Sequence, residues 1–217
     1  MDPFRLCLAL GPVAVYVLLL GTLNLSRRPL LVSGTRDAAA LGLAVAGFVV
    51  VGPMELFFPD AAASVFRASS VWILLLSFYG LCLVLVLLLL RPRLIVYNMS
   101  VDQLRPLLAD LVGELDGEAR WAGDSLSLPS LGVQLHIEGT ATMRNVALVS
   151  VGPKQNYVGW RHLELALAPV LDQVEVTRNP RGASLVGAGV LIGVMLVMAI
   201  ARNPEAVAQA LFEMLRL

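Results

Sequence analysis

The sequence predicts a multi-pass α-helical membrane protein, with four spans and a soluble two-layer α+β domain inserted between the third and the fourth. Three observations predict it. Of the 217 residues, 58% are hydrophobic and 15% charged, against roughly 45–50% and about 25% in ordinary soluble domains. The apolar residues are gathered into four long blocks, the pattern of bilayer spans. One intervening stretch of about 90 residues breaks that pattern and shows first a helical and then a strand-like period. On this reading residues 1–92 hold three spans, 93–180 form the soluble domain, and 181–217 hold the fourth span and a C-terminal amphipathic helix.

The first span runs over residues 6–25 and contains no charge. Its leading charges, Asp2 and Arg5, are a weak n-region, its apolar core is long, and no small-residue cleavage site follows. It is therefore read as an uncleaved span rather than a signal peptide. Arg27, Arg28 and Pro29 end it, and Ser33 to Asp37 are read as a polar loop. The second span, 38–58, is rich in Ala and Gly, carries Glu55 near its far end, and stops at Pro59. The third, 69–90, is rich in Leu and closes on Arg91-Pro92-Arg93. The fourth, 183–201, is bracketed by Arg178 and Arg181 before it and Arg202 after it. Each block is about 20 residues long, which at about 1.5 Å of rise per residue crosses about 30 Å of hydrocarbon.

Within the domain, Leu94 to Tyr97 read as a strand, and Ser100 with Gln103 as the capping box of a helix. That helix shows its apolar face at Val101, Leu104, Leu108, Leu111 and Leu115, and Pro106 either bends it or sits in its first turn. Leu126 to Leu128 and Val133 to Glu138 form a hairpin with clean alternation, and Val146 to Val151 a further strand. A second amphipathic helix presents Trp160, Leu163 and Leu167, and Val174 to Thr177 continue it or add a last strand. The order β-α-β-β-β-α implies an antiparallel or mixed sheet with helices on one face. The piece from about Arg93 to Thr177 is large enough for a small core of its own, with Trp121 and Trp160 expected inside it.

Charges balance at 16 basic and 16 acidic, so no global field draws in nucleic acid. Lys154 is the only lysine; a GC-rich genome explains the preference for Arg better than a dedicated anionic partner does. Cys7 and Cys82 both lie in apolar blocks, which argues against a disulfide framework or a thiolate metal site. His136 and His162 share no ligand spacing, so neither a metal nor a cofactor is expected. No nucleophile elbow or phosphate loop is present, so no catalytic residue is assigned. Asn24 and Asn98 match the glycosylation sequon, a pattern short enough to arise by chance.

Three features remain as candidate sites. Glu55 is an ionisable residue within a span, and such groups mark functional positions unless they reach the interface, as Glu55 can from about three residues inside the span end. Ala38, Gly42 and Ala46, and Gly189 with Gly193, are small residues at the spacing that lets helices approach closely. In the tail, Asn203-Pro204-Glu205 start a helix whose stripe of Val207, Leu211, Met214 and Leu215 suits a bilayer surface or a partner.

Arginines concentrate after the first span and at both membrane ends of the domain. The positive-inside rule then makes that side cytoplasmic, in what is expected to be a bacterial inner membrane. The leading functional expectation is a non-enzymatic accessory, assembly or regulatory membrane protein whose soluble domain contacts other proteins. A small transporter or channel component using Glu55 comes second. A membrane-bound enzyme, which would need Arg120, Asp124, His136 and Arg144 in one cleft, comes third. Expected partners are the lipid bilayer and other membrane subunits or further copies of the chain.

Overall fold

A computed structural model describes residues 3–57, 68–140, 143–205 and 207–209, with backbone alone at 53–57 and 68–72. In chain order the elements are α1 (Pro3–Leu25), β1 (Leu30–Ser33), α2 (Gly34–Phe57), α3 (Ala68–Leu89), β2 (Arg93–Tyr97), α4 (Val101–Leu115), β3 (Arg120–Ala122), β4 (Ser125–Leu128), β5 (Val133–Thr140), β6 (Asn145–Ser150), α5 (Tyr157–Asp172) and α6 (Arg181–Arg202). The chain forms two compact units. One is drawn from Met1–Leu20, Ala39–Leu89 and Leu185–Leu217, the other from Gly21–Ala38 and Leu90–Ser184.

The first unit is helical. Among the described residues three of its helices are long and apolar enough to cross a membrane: α1, α2 over Gly34–Gly52, and α6. The third expected span is helical throughout Ala68–Leu89, and its described apolar stretch is the shorter Ile73–Leu89. Leu74, Leu81, Leu88, Leu89, Leu191 and Val197 all stand exposed on these helices. Such surfaces suit lipid, since hydrocarbon solvates a leucine and water does not.

Close approach inside this unit depends on glycine. A Cβ at Gly47 of α2 would fall 2.0 Å from the Leu8 carbonyl oxygen of α1, so no larger residue fits while the two backbones stay in place. Gly42 faces the Leu83 side chain of α3, and its carbonyl accepts a hydrogen bond from Tyr79 Oη at 2.6 Å.

The second unit is the α+β domain. Its sheet is wholly antiparallel, in the order β1-β2-β6-β5-β4-β3. Leu94 and Val96 of β2, Val146 and Leu148 of β6, Leu135 and Ile137 of β5, and Leu126 and Leu128 of β4 point to one side. There they meet Leu104, Leu108 and Val112 of α4 and Trp160, Leu163, Leu167 and Leu171 of α5 in a single core. The two helices show apolar residues every three or four positions, so one stripe of each covers the inner face of the sheet.

Three findings differ from the sequence reading. Leu30 to Ser33, of which only Ser33 is read as loop and the rest carry no assignment, pair with β2 from Leu30 opposite Tyr97 to Ser33 opposite Leu94. The sheet therefore takes in a strand from outside residues 93–180. Arg120 to Ala122 add an unforeseen edge strand, joined to β4 by a two-residue turn with Gly123 at φ +63°. Val174 to Thr177 form neither helix nor strand; Val176 is buried, and its N–H donates to the Arg27 carbonyl at 2.8 Å.

Trp160 is 4% exposed, as a core residue should be, but Trp121 is 36% exposed. It lies on the short edge strand, with the Arg105 guanidinium 5.7 Å from its ring centroid. The cation faces the negative π cloud of the ring there, outside the core. Pro106 sits within α4, which begins at Val101, and the expected capping box of Ser100 and Gln103 is present, with Ser100 N–H donating to Gln103 Oε1 at 3.2 Å.

Candidate functional site

The most distinctive site in the α+β domain is a cleft of about 440 Å³ where four segments meet. The end of β1 and start of α2 supply Ser33 to Arg36. The link from α3 into β2 supplies Arg91 and Arg93, and the outer side of α5 supplies Tyr157, Arg161 and Leu165. Antiparallel pairing of β1 with β2 sets Ser33 opposite Leu94, which brings the first turn of α2 beside Arg93. Gly34 lets this happen, because a Cβ there would sit 2.0 Å from Arg93 Cγ.

Four arginines line the cleft: Arg36, Arg91, Arg93 and Arg161. Arg93 Nη2 lies 3.6 Å from Asp37 Oδ2, and Tyr97 Oη donates to Asp37 Oδ1. Arg36 Nη1 lies 4.0 Å from Glu164 Oε1. Arg93 Nε is buried without an acceptor. Four cations against two carboxylates leave a formal surplus of two positive charges.

A second cluster, of asparagines, holds the ends of α1 and α6 to the sheet. Asn24, Asn98 and Asn179 are all buried. Asn179 Nδ2 donates to Asn24 Oδ1 at 3.2 Å and to the Met143 carbonyl at 3.3 Å, and its Oδ1 accepts from Arg181 N–H at 3.2 Å. Asn98, at φ +62°, donates to the Ser26 carbonyl at 2.6 Å. Asparagine tolerates that left-handed backbone better than most residues. Both sequon asparagines, Asn24 and Asn98, are thus interior hydrogen-bonding residues.

The third feature is the sheet face turned away from α4 and α5. Register places Arg120, Ser125, Ser127, Gln134, His136 and Glu138 on it. Arg120, Gln134 and Glu138 are exposed, and Ser125 Oγ lies 3.0 Å from His136 Nδ1. Of the four residues that a membrane enzyme would need, two share this face. Arg120 and His136 lie on this face, while Asp124 binds Arg105 at 3.0 Å. Arg144 donates to the Thr177 carbonyl and Oγ1, each at 2.9 Å.

Asp116, at the end of α4, anchors the segment leading to β5. Burial opposes its charge, but Ser130 Oγ at 2.8 Å, Glu118 N–H at 3.0 Å and Ser130 N–H at 2.9 Å outweigh that and hold its carboxyl below the ordinary 3.8. Among the described residues no three His, Cys, Asp or Glu side chains gather as metal ligands would.

Of the residues singled out by sequence, Gly42 and Gly189 are buried at helix contacts, Gly189 against Leu18 of α1. Ala38 and Ala46 are half-buried. A Cβ at Gly193 would meet nothing within 4 Å. Glu55 lies in α2, with its side chain outside the described residues. Val207 is half-buried and helical, and Leu211, Met214 and Leu215 lie outside the described residues. Sequence reasoning missed Gly47, one position beyond the Ala38-Gly42-Ala46 stripe, and missed the cleft, whose Arg36, Arg91 and Arg93 served only as orientation signals and whose Arg161 was not singled out. Comparison with protein-family models, curated proteins and solved structures gave no match.

Proposed function

We propose that the chain is a non-enzymatic accessory, assembly or regulatory membrane protein whose α+β domain docks another protein. The observation that supports this is the polar sheet face of β3, β4 and β5. It ends at a free edge strand and carries exposed Arg120, Gln134 and Glu138. A sheet face and edge of this kind offer a partner hydrogen-bonding groups and opposite charges without a pocket. In this reading α3 is a fourth span, the membrane is a bacterial inner membrane, and the domain lies on its cytoplasmic side. Arg27, Arg28, Arg36, Arg91, Arg93, Arg178 and Arg181 then share the cytoplasmic face.

The test is photocrosslinking in native membranes from Gln134 and Glu138, with Asp110 on the outer side of α4 as the comparison position. Discrete adducts with another chain from the two sheet positions, and none from Asp110, are expected. Their absence from all three positions would sink the docking role.

A further inference from the structure

We propose that the arginine cleft binds the phosphate of an anionic phospholipid headgroup. Arg91 and Arg161 are exposed and form no ion pair with a described residue, so two cations stand ready for an external anion. Guanidinium donates two parallel N–H bonds to a phosphate, a match of shape as well as charge. A volume of about 440 Å³ accommodates a glycerophosphate head.

Two further observations favour a lipid over a free anion. The first is covalent: Arg91 follows the last residue of α3 by two positions, and Gly34 begins the apolar stretch of α2. The chain itself thus ties the cleft to the points where apolar helices give way to polar residues, the depth at which headgroups lie. Basic pockets in that position on the cytoplasmic side recognise acidic headgroups. The second is chemical. Tyr157 and Leu165 are 68% and 64% exposed, line the same cleft, and stand four residues on either side of Arg161 on one helical stripe. A soluble phosphate gains nothing from exposed Tyr and Leu, whereas the glycerol and upper acyl chain of a lipid cover them.

The experiment uses the full chain, purified in an uncharged detergent and titrated with phosphatidylglycerol or phosphatidylcholine of identical acyl chains. Bound lipid is counted by native mass spectrometry. Phosphatidylglycerol is expected to be retained about 25-fold more than phosphatidylcholine, about fivefold for each of the two unpaired guanidiniums. Arg91→Gln and Arg161→Gln are each expected to lower its retention about fivefold, the contribution of one interfacial cation. The pair should bring it to the phosphatidylcholine level with an unchanged circular dichroism melt. Equal retention of the two lipids, or variants that bind like the wild type, overturns the proposal. So does displacement of phosphatidylglycerol by excess inorganic phosphate, which would assign the cleft to a soluble anion. If the double variant does not fold, the comparison of the two lipids on the wild-type chain decides.

Discussion

Asn179 donates its side-chain amide to Asn24 Oδ1 at 3.2 Å, across 155 positions of sequence, with both residues buried. The bond joins the C-terminal turn of α1 to the lead-in of α6, and Asn179 N–H adds a second link to the Asn24 carbonyl at 3.0 Å. Around it, Gly182 lies so close to α1 that a Cβ would sit 2.9 Å from the Gly21 carbonyl oxygen.

Asn179→Ala is therefore expected to lower stability by about 1–3 kcal/mol, because buried partners lose a hydrogen bond that water cannot replace. Asn24→Ala should do much of the same damage. The check is a double-mutant cycle on unfolding followed by tryptophan fluorescence. Strictly additive losses would show that the two side chains do not act through each other.

Asp116 makes domain stability depend on pH. Its carboxyl is held below 3.8 in the folded state, so the unfolded chain binds a proton more readily. The stabilisation is present above about 3.8 and is lost as pH falls through the lower, folded value. Denaturant midpoints measured down the acid range should show this loss in the wild type, and Asp116→Asn should flatten it. A variant that keeps the full acid slope would place the effect on other groups.

Packing of the membrane helices separates two glycines. Gly47→Val drives a side chain into the Leu8 carbonyl and is expected to cost about 1–3 kcal/mol, as overpacking does. Gly193→Ile meets open space among the described residues and should leave the unfolding temperature in detergent unchanged. If Gly193→Ile alters migration on native gels while the melt stays constant, that face contacts another chain. Loss of stability from Gly193→Ile instead would contradict the packing described.

The role of β1 is open to a fragment test. A piece from Arg93 to Thr177 lacks the strand that pairs along β2, and with it Leu31, which packs on the core. It is expected to melt lower than the domain in the full chain and to be stabilised by an added peptide of residues 28–37. Indifference to that peptide would make β1 dispensable.

Lys154 offers a natural probe of orientation, being the only lysine and exposed. With the domain cytoplasmic, an impermeant amine reagent should leave the Lys154 peptide unmodified in intact cells and modify it after lysis. Equal modification before and after lysis would invert the topology.

Apolar blocks near the length of a bilayer were evident in the sequence by itself, because hydrocarbon solvation is a property of a continuous run. So was the core of the domain, since the 3.6 and 2.0 periods mark inner faces at Leu104, Leu108, Leu135, Ile137, Leu163 and Leu167 before any partner is known. Only the tertiary structure decided the rest. Leu30 to Ser33 form a strand because β2 supplies their hydrogen-bond partners from 60 or so residues away. Trp121 and Trp160 look alike in sequence, but one sits on an edge and the other under a sheet. Gly47, not Gly193, lies against another helix backbone, because that depends on where the Leu8 carbonyl lies. Arg36, Arg91, Arg93 and Arg161 are scattered along the chain and share a cleft only once β1, β2 and α5 have assembled, since a charge cluster is defined by distance in space.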